Sequence, residues 1–379
     1  MDEELNVLVS VQCWTFLLML FLAKMQLKKK RIRRCVCSPL SSRETQGIYR
    51  NLFRELRTTD HEEFFGYTRM NVQQFDYIYD LVRPYLIKRS IRTSLPLQLR
   101  VAFTIEMLAR GTSIRTSSWN YRIGRSTAYK VFRETCSALW KALQPIYLQA
   151  LTKETMMQIS EDFFNRWQFR NCVGAIDGKH VSIQCPPKKK LALSFTALTR
   201  KDFLDLKVME VWQIVLSARL SMQVKLTFLF QRRFPIFNYR LSRGRCTIEN
   251  AFGIMSSSWR ILRRDLCCTP EAAEDIVKAI VCFHNFLMIS EDELAPLERT
   301  YCPASMLDRE KVDRNVIEGD WRRDIYRRPI TNVGRLGSNN PTVRADAQRN
   351  ILKDYFCSDI GQLDWQWEQA LRAYNVNPI

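Results

Sequence analysis

The sequence predicts a mixed α/β protein whose first half is helical, and three observations carry that expectation. Apolar residues recur at helical spacing from Ile48 to Leu143. At residues 171–184, NCVGAIDGKHVSIQ, the pattern shortens to two apolar runs joined at Asp-Gly, which is a hairpin signal. Apolar residues make up 46% and aromatics 11% of the 379 residues, so a core is expected and wholesale disorder is excluded. At this length two or three units are expected. The divisions fall as an apolar helix and basic arm (1–44), a helical region (45–170), a mixed core (171–290) and a tail with a terminal helix (291–379).

The formal net charge is +19, and it is unevenly placed. Residues 301–379 hold 12 basic and 11 acidic side chains, which leaves a net of +18 in the first 300. A polyanionic partner is therefore expected for the main body, and nucleic acid is the commonest one. Twelve cysteines are scattered without a C-x-x-C pair and only three histidines are present, so a reduced compartment is expected and a zinc cluster is not.

At the amino terminus, residues 5–23 carry no charge and 15 of the 19 are apolar. That is marginal against the ~20 residues of a bilayer span, so a helix packed on the protein or a partner and a membrane anchor are both open. Acidic residues 2–4 precede the stretch, where a secretion signal would carry positive charge. Seven basic residues in the eleven positions 24–34 then read as a nuclear import signal, a phosphate-contacting arm or a solvated flank.

Helical periodicity runs through Ile48, Leu52, Phe53 and Leu56, then through Phe75, Ile78, Leu81, Val82 and Tyr85. A helix over 97–109, a short one over 113–123 closed by Gly124, and a third over 126–143 make a helix-turn-helix candidate, with Ser126 or Thr127 capping the third member. Arg115, Arg122, Arg125, Lys130 and Arg133 would face phosphates or bases. Three amphipathic helices also make an ordinary bundle, and spacing alone leaves both readings open.

Asp177 sits where a strand meets the predicted turn, placed either to hold a divalent cation or simply to form an Asp-Gly turn. In RLSRGRCTIENAFGIMSSSWRILR, residues 240–263, Ile248, Phe252, Met255 and Trp259 share a helical face, with Glu249 at its edge. Arg240, Arg243 and Arg245 before it, with Arg260, Arg263 and Arg264 after it, would suit a phosphodiester held against a metal ion. His284, near the end of a helix from Pro270 to Met288, reads as a packed core histidine. Gly334 to Pro341 reads as a linker, and Trp365 and Trp367 flank a terminal helix that packs back on the core.

Several of these stretches together resemble the PIF/Harbinger superfamily of transposases and the Harbinger transposase-derived nucleases, which are DDE-type endonucleases. The similarity runs through FRELRTTDHEEFFGYTRMNVQQFDYIYDLV and RIGRSTAYKVFRETC, is greatest in VGAIDGKHVSIQCPP and FNYRLSRGRCTIENAFGIMSSSWRILRR, and includes CFHNFL and LKDYFCSDIGQLDWQWE. The resemblance implies an RNase H-like catalytic core in which Asp177 is the first carboxylate and Glu249 the last. It implies bound Mg²⁺ or Mn²⁺, with Lys179 and the neighbouring arginines toward DNA. It also implies nuclear localisation, a Myb/SANT-like DNA-binding partner, and no stable membrane association.

The chain departs from that pattern between the two motifs. Asp177 and Glu249 are 72 residues apart, and the acids strictly between them are Asp202, Asp205 and Glu210, none in the family's setting for a middle Asp. Asp202 or Asp205 is the candidate substitute. The core is thus expected to be truncated or disrupted, with residues 191–235 atypical. KVMEVWQIV, residues 207–215, can be encoded so that dropping two bases gives SNGSLADS, which resembles the family's missing Asn-Gly…Asp-Ser segment. The expected result of sequencing the transcript across residues 190–235 is a shifted frame; an intact frame would sink this reading. Two functions follow: a metal-dependent DNA endonuclease, or a catalytically dead DNA-binding or scaffold protein. A membrane-anchored helical protein is a distant third.

Overall fold

The computed structural model describes residues 12–20, 38–87, 94–175, 179–183, 203–204, 235–311, 313–323, 331–332 and 343–372. Over these residues the protein is mostly helical with a few short strands. Residues 12–20 are helical, and their apolar side chains stand exposed, with Trp14 and Met19 both at 72%, so this part of the apolar stretch is not buried against the other described residues; the rest of it lies outside them.

The helical region is built from α1 (Leu52–Thr59), α2 (His61–Thr68), α3 (Val72–Leu86), α4 (Leu97–Arg110), α5 (Ile114–Asn120), α6 (Arg125–Tyr147) and α7 (Lys153–Trp167). Local chemistry sets several of the boundaries. Asn71 and Gln74 form a reciprocal capping box at the start of α3, which satisfies two otherwise orphaned N–H groups. Gly111 ends α4 at φ +65°, and a Cβ there would come 2.8 Å from the carbonyl oxygen of Arg260. A residue with a side chain is therefore excluded twice, by backbone conformation and by space.

α4 is buried on every side from Leu99 to Ala109, and α6 packs against it as well as against α3 and α9. Its polar side chains find partners within the fold, although Arg100 Nε has none. Arg100 donates to the Leu86 carbonyl (2.9 Å) and to Glu134 (3.0 Å). Glu106 accepts from the hydroxyls of Ser117 and Thr112, and burial holds its carboxyl above the usual range.

After residue 171 the mixed region begins. α8 (Pro235–Ser258) and α9 (Pro270–Ser290) dominate it, followed by α10 (Val343–Phe356) and α11 (Gln366–Arg372). Strand β1 (Lys179–Ser182) lies between β2 (Phe203–Leu204) and β5 (Thr331–Asn332), antiparallel to both, while β3 (Arg309–Glu310) pairs with β4 (Val316–Ile317). The predicted 171–184 hairpin is not what β1 joins. Residues 171–175 form no strand, the Asp177-Gly178 turn lies outside the described residues, and β1 pairs with chain more than twenty residues away. The predicted 334–341 linker also lies outside the described residues.

The main core runs from Tyr49 to Cys302 and takes in α3, α4, α6 and α9. A smaller core of Trp167, Phe169, Ile236, Phe237, Leu241, Phe356 and Ala370 joins α7, the start of α8 and the C-terminal helices. α8 spans both: Ile236, Phe237 and Leu241 join the smaller core, while Ile248, Phe252 and Met255, with Trp259 just past its end, line the face that the sequence periodicity marked.

His284 on α9 is buried, as its sequence setting suggested. Its Nδ1 meets the Tyr301 hydroxyl at 2.9 Å, and that hydroxyl also accepts from Trp259 Nε1 at 3.2 Å. Burial pushes its pKa down to about 4 from 6.5. The folded state thus binds this proton less readily than the unfolded state. The resulting stability is fully present above pH 6.5 and is lost as pH falls toward 4. Urea denaturation between pH 7 and pH 4 should show a loss of up to about 3 kcal/mol that His284→Gln removes. An unchanged pH slope in the variant would refute this assignment.

Candidate functional site

The helix-turn-helix candidate is formed by α4, α5 and α6. The turn between α5 and α6 is residues 121–124, within the three to four residues such a turn uses. Ser113 caps α5 by accepting from the Thr116 N–H at 3.0 Å. α6 begins at Arg125, one residue earlier than the sequence suggested. Its cap is Gly124 with no side-chain hydrogen bond, so neither Ser126 nor Thr127 serves.

Within this unit the expected basic residues divide. Arg115, Arg125, Lys130 and Arg133 are exposed. The Arg115 guanidinium lies over the Trp119 ring (5.4 Å to the centroid) and that of Arg125 over Tyr129 (6.0 Å), cation–π contacts made by side chains that remain exposed. Arg133 sits further along α6, where its charge reaches Asp275 of α9. Arg122 is at a positive φ of 49° and is used within the fold: its guanidinium donates to Ser42 (2.7 Å) and its carbonyl accepts from Arg43 (2.9 Å). From Gly111 to Arg133 there are five basic residues and no acid.

The second candidate region surrounds Glu249. Its carboxylate is 25% exposed, paired with Arg245 one turn earlier on α8 and 3.7 Å from Arg322. Arg322 is itself held by Asp308, whose side chain is wholly buried. Two guanidinium nitrogens reach Asp308 (2.6–3.0 Å), and its Oδ1 accepts the Gly319 N–H at 2.8 Å. Asp308 raises the pKa of Arg322 further, through these hydrogen bonds first.

Asn250 ties the same segment to α8. Its Oδ1 accepts from the Asp308 N–H (3.0 Å) and from Trp321 Nε1 (3.0 Å). The Trp321 ring covers Gly253, where an added Cβ would overlap the indole. Asp308, Trp321 and Arg322 therefore latch the tail onto the α8 face that carries Glu249. Sequence reasoning assigned little chemistry to this tail, and no motif in it marks the latch.

Arg240 and Arg243, expected at a DNA surface, are inside the protein. Arg240 is 1% exposed, donates to Gln366 Oε1 (3.0 Å) and to the Gln168 carbonyl, and lies over Phe356. Burial and the charge of Arg243 lower its pKa to about 10. Arg243 pairs with Glu310 at 2.6 Å and lies over Trp365. A guanidinium spent on internal carbonyls, carboxylates and rings is not available to a phosphate, so these two residues hold the C-terminal helices rather than face DNA. Trp365 packs back as expected, whereas Trp367 stays exposed.

Asp177, Asp202, Asp205 and the Lys179 side chain lie outside the described residues. Among the described residues no group of three His, Cys, Asp or Glu side chains could hold a metal ion. Of the expected ligands only Glu249 lies among the described residues, and its carboxylate faces Arg245 and Arg322.

Comparison with protein-family models, curated proteins and solved structures finds no match to the chain. Among the described residues no helix is long and apolar enough to cross a membrane.

Proposed function

We propose that this chain is a DNA-binding protein descended from a DDE-type transposase nuclease, with its helix-turn-helix kept and its phosphodiester chemistry lost. The observation that carries this reading is the exposed, acid-free basic edge of α5 and α6 across a four-residue turn. In such a unit the second helix enters the major groove with its N-terminal residues toward the bases while the first crosses the backbone. Arg125, Tyr129 and Lys130 occupy the first two turns of α6, and Arg115 lies on α5. The net charge of +19 supports a sequence-independent electrostatic share of the affinity.

The loss of catalysis is supported by the absence of a middle Asp in a family-like setting and by the pairing of Glu249 with Arg245 and Arg322. The RNase H-like core, nuclear localisation and a Myb/SANT-like partner belong to the same proposal and rest on the motif resemblance. The competing reading keeps Mg²⁺-dependent cleavage through Asp177 and Glu249, and the motif VGAIDGKHVSIQCPP favours it. A supercoiled-plasmid nicking assay separates the two. No cleavage is expected in Mg²⁺ or Mn²⁺, together with salt-sensitive DNA binding. Cleavage that Asp177→Ala abolishes would overturn the proposal.

A further inference from the structure

A shallow depression lies where the segment before α1 meets the end of α5. It is lined by Trp119, Asn120 and Arg122 on one side and by Gln46, Asn51 and Leu52 on the other. Its two walls are fixed to each other: the Ile48 N–H donates to the Asn120 carbonyl (3.0 Å), and Arg122 holds Ser42 and Arg43. Trp119 is 66% exposed, unlike the core indoles Trp167 and Trp259.

We propose that this depression receives an unpaired base of the DNA bound by α5 and α6, so that the protein prefers DNA with single-stranded ends or extruded nucleotides. The inference rests on the DNA-binding reading and deepens it. Three features commit it to a nucleotide. Trp119 offers an indole for stacking, with the Arg115 guanidinium near its ring. Gln46, Asn51 and Asn120 bring carboxamides whose donors and acceptors match base edges, although Asn51 Nδ2 also donates to the Thr45 carbonyl at 3.3 Å. No lining residue is acidic, and Arg122 adds positive charge beside the acid-free stretch from Gly111 to Arg133. A protein ligand would use the apolar side chains without needing this charge and amide content.

The test is fluorescence anisotropy of the full chain with three labelled DNAs. One is a blunt duplex, one is the same duplex with a short 3′ overhang, and one carries that overhang with abasic nucleotides. The abasic probe keeps the added phosphates and removes the bases. The base-bearing overhang should bind about ten-fold more tightly than the abasic one, the size expected of base–aromatic stacking. Trp119→Ala should erase that difference, and Trp119→Phe should retain most of it. Equal affinity for the two overhangs, or a Trp119→Ala loss that is the same on all three probes, would overturn the proposal while leaving DNA binding intact. Failure to bind any of the three would instead remove the DNA-binding reading, and this inference with it.

Discussion

Arg243→Ala is expected to destabilise the protein by about 3–5 kcal/mol, the range for removing one partner of a buried ion pair. Arg243 and Glu310 are 7% and 16% exposed, and their contact is 2.6 Å long. Truncation leaves the Glu310 carboxylate in a site with little water and only Arg314, 3.8 Å away, to balance it. It also removes the cation from over Trp365 and a donor from Gln168 Oε1 at 3.3 Å. The consequence should be local before it is global, because these contacts fasten β3 and α11 to α8. Urea denaturation should show the lower midpoint. Arg243→Met combined with Glu310→Leu should recover much of the loss, since an apolar pair of similar volume avoids the desolvation cost. A single-variant loss below about 1 kcal/mol would show that Arg243 is solvated and open to a phosphate after all.

Replacing Arg115, Arg125 and Lys130 together by glutamate is expected to weaken duplex binding by roughly a hundred-fold or more near physiological salt. It should also flatten the salt dependence by about three units of log–log slope, because each lost phosphate contact removes close to one released counterion. All three side chains are exposed, so the fold should be untouched and the melting temperature unchanged. The same exchange at Arg240 cannot serve as a binding test, because that guanidinium is an internal donor to Gln366 and Gln168 and its loss reads out as instability.

These two predictions also mark what the sequence could and could not reveal. The α4–α5–α6 unit was legible because its signals are local, apolar spacing and Gly124 closing the turn, although the cap on α5 at Ser113 was not read and that on α6 was misplaced. The apolar face of α8 and the burial of His284 were legible for the same reason. Charge was misleading at Arg240 and Arg243, because a basic residue in sequence looks alike whether it meets water or a buried carbonyl. What decides the matter is contact with Gln366 and Glu310, more than sixty positions away. The latch on Glu249 was invisible on the same grounds, since Asp308 meets Asn250 across 58 positions and no local pattern announces it. β1 failed as a hairpin arm because its partners Thr331 and Asn332 are remote, and strand pairing is set by tertiary contacts as much as by turn residues.

Glu249 shows how the two kinds of information combine. Its position at the edge of an apolar helical stripe could be read directly, and the structure adds the two arginines that hold its carboxylate. Through Arg322 the carboxylate also helps to hold the tail segment around Asp308 and Trp321 against α8.

The most direct test is the affinity of the unmodified chain for a duplex, measured by anisotropy over a series of salt concentrations. The account predicts binding whose logarithm falls linearly with the logarithm of salt, with a slope set by several phosphate contacts, Arg115, Arg125 and Lys130 among them. No binding at low salt, or binding that does not respond to salt, would contradict it.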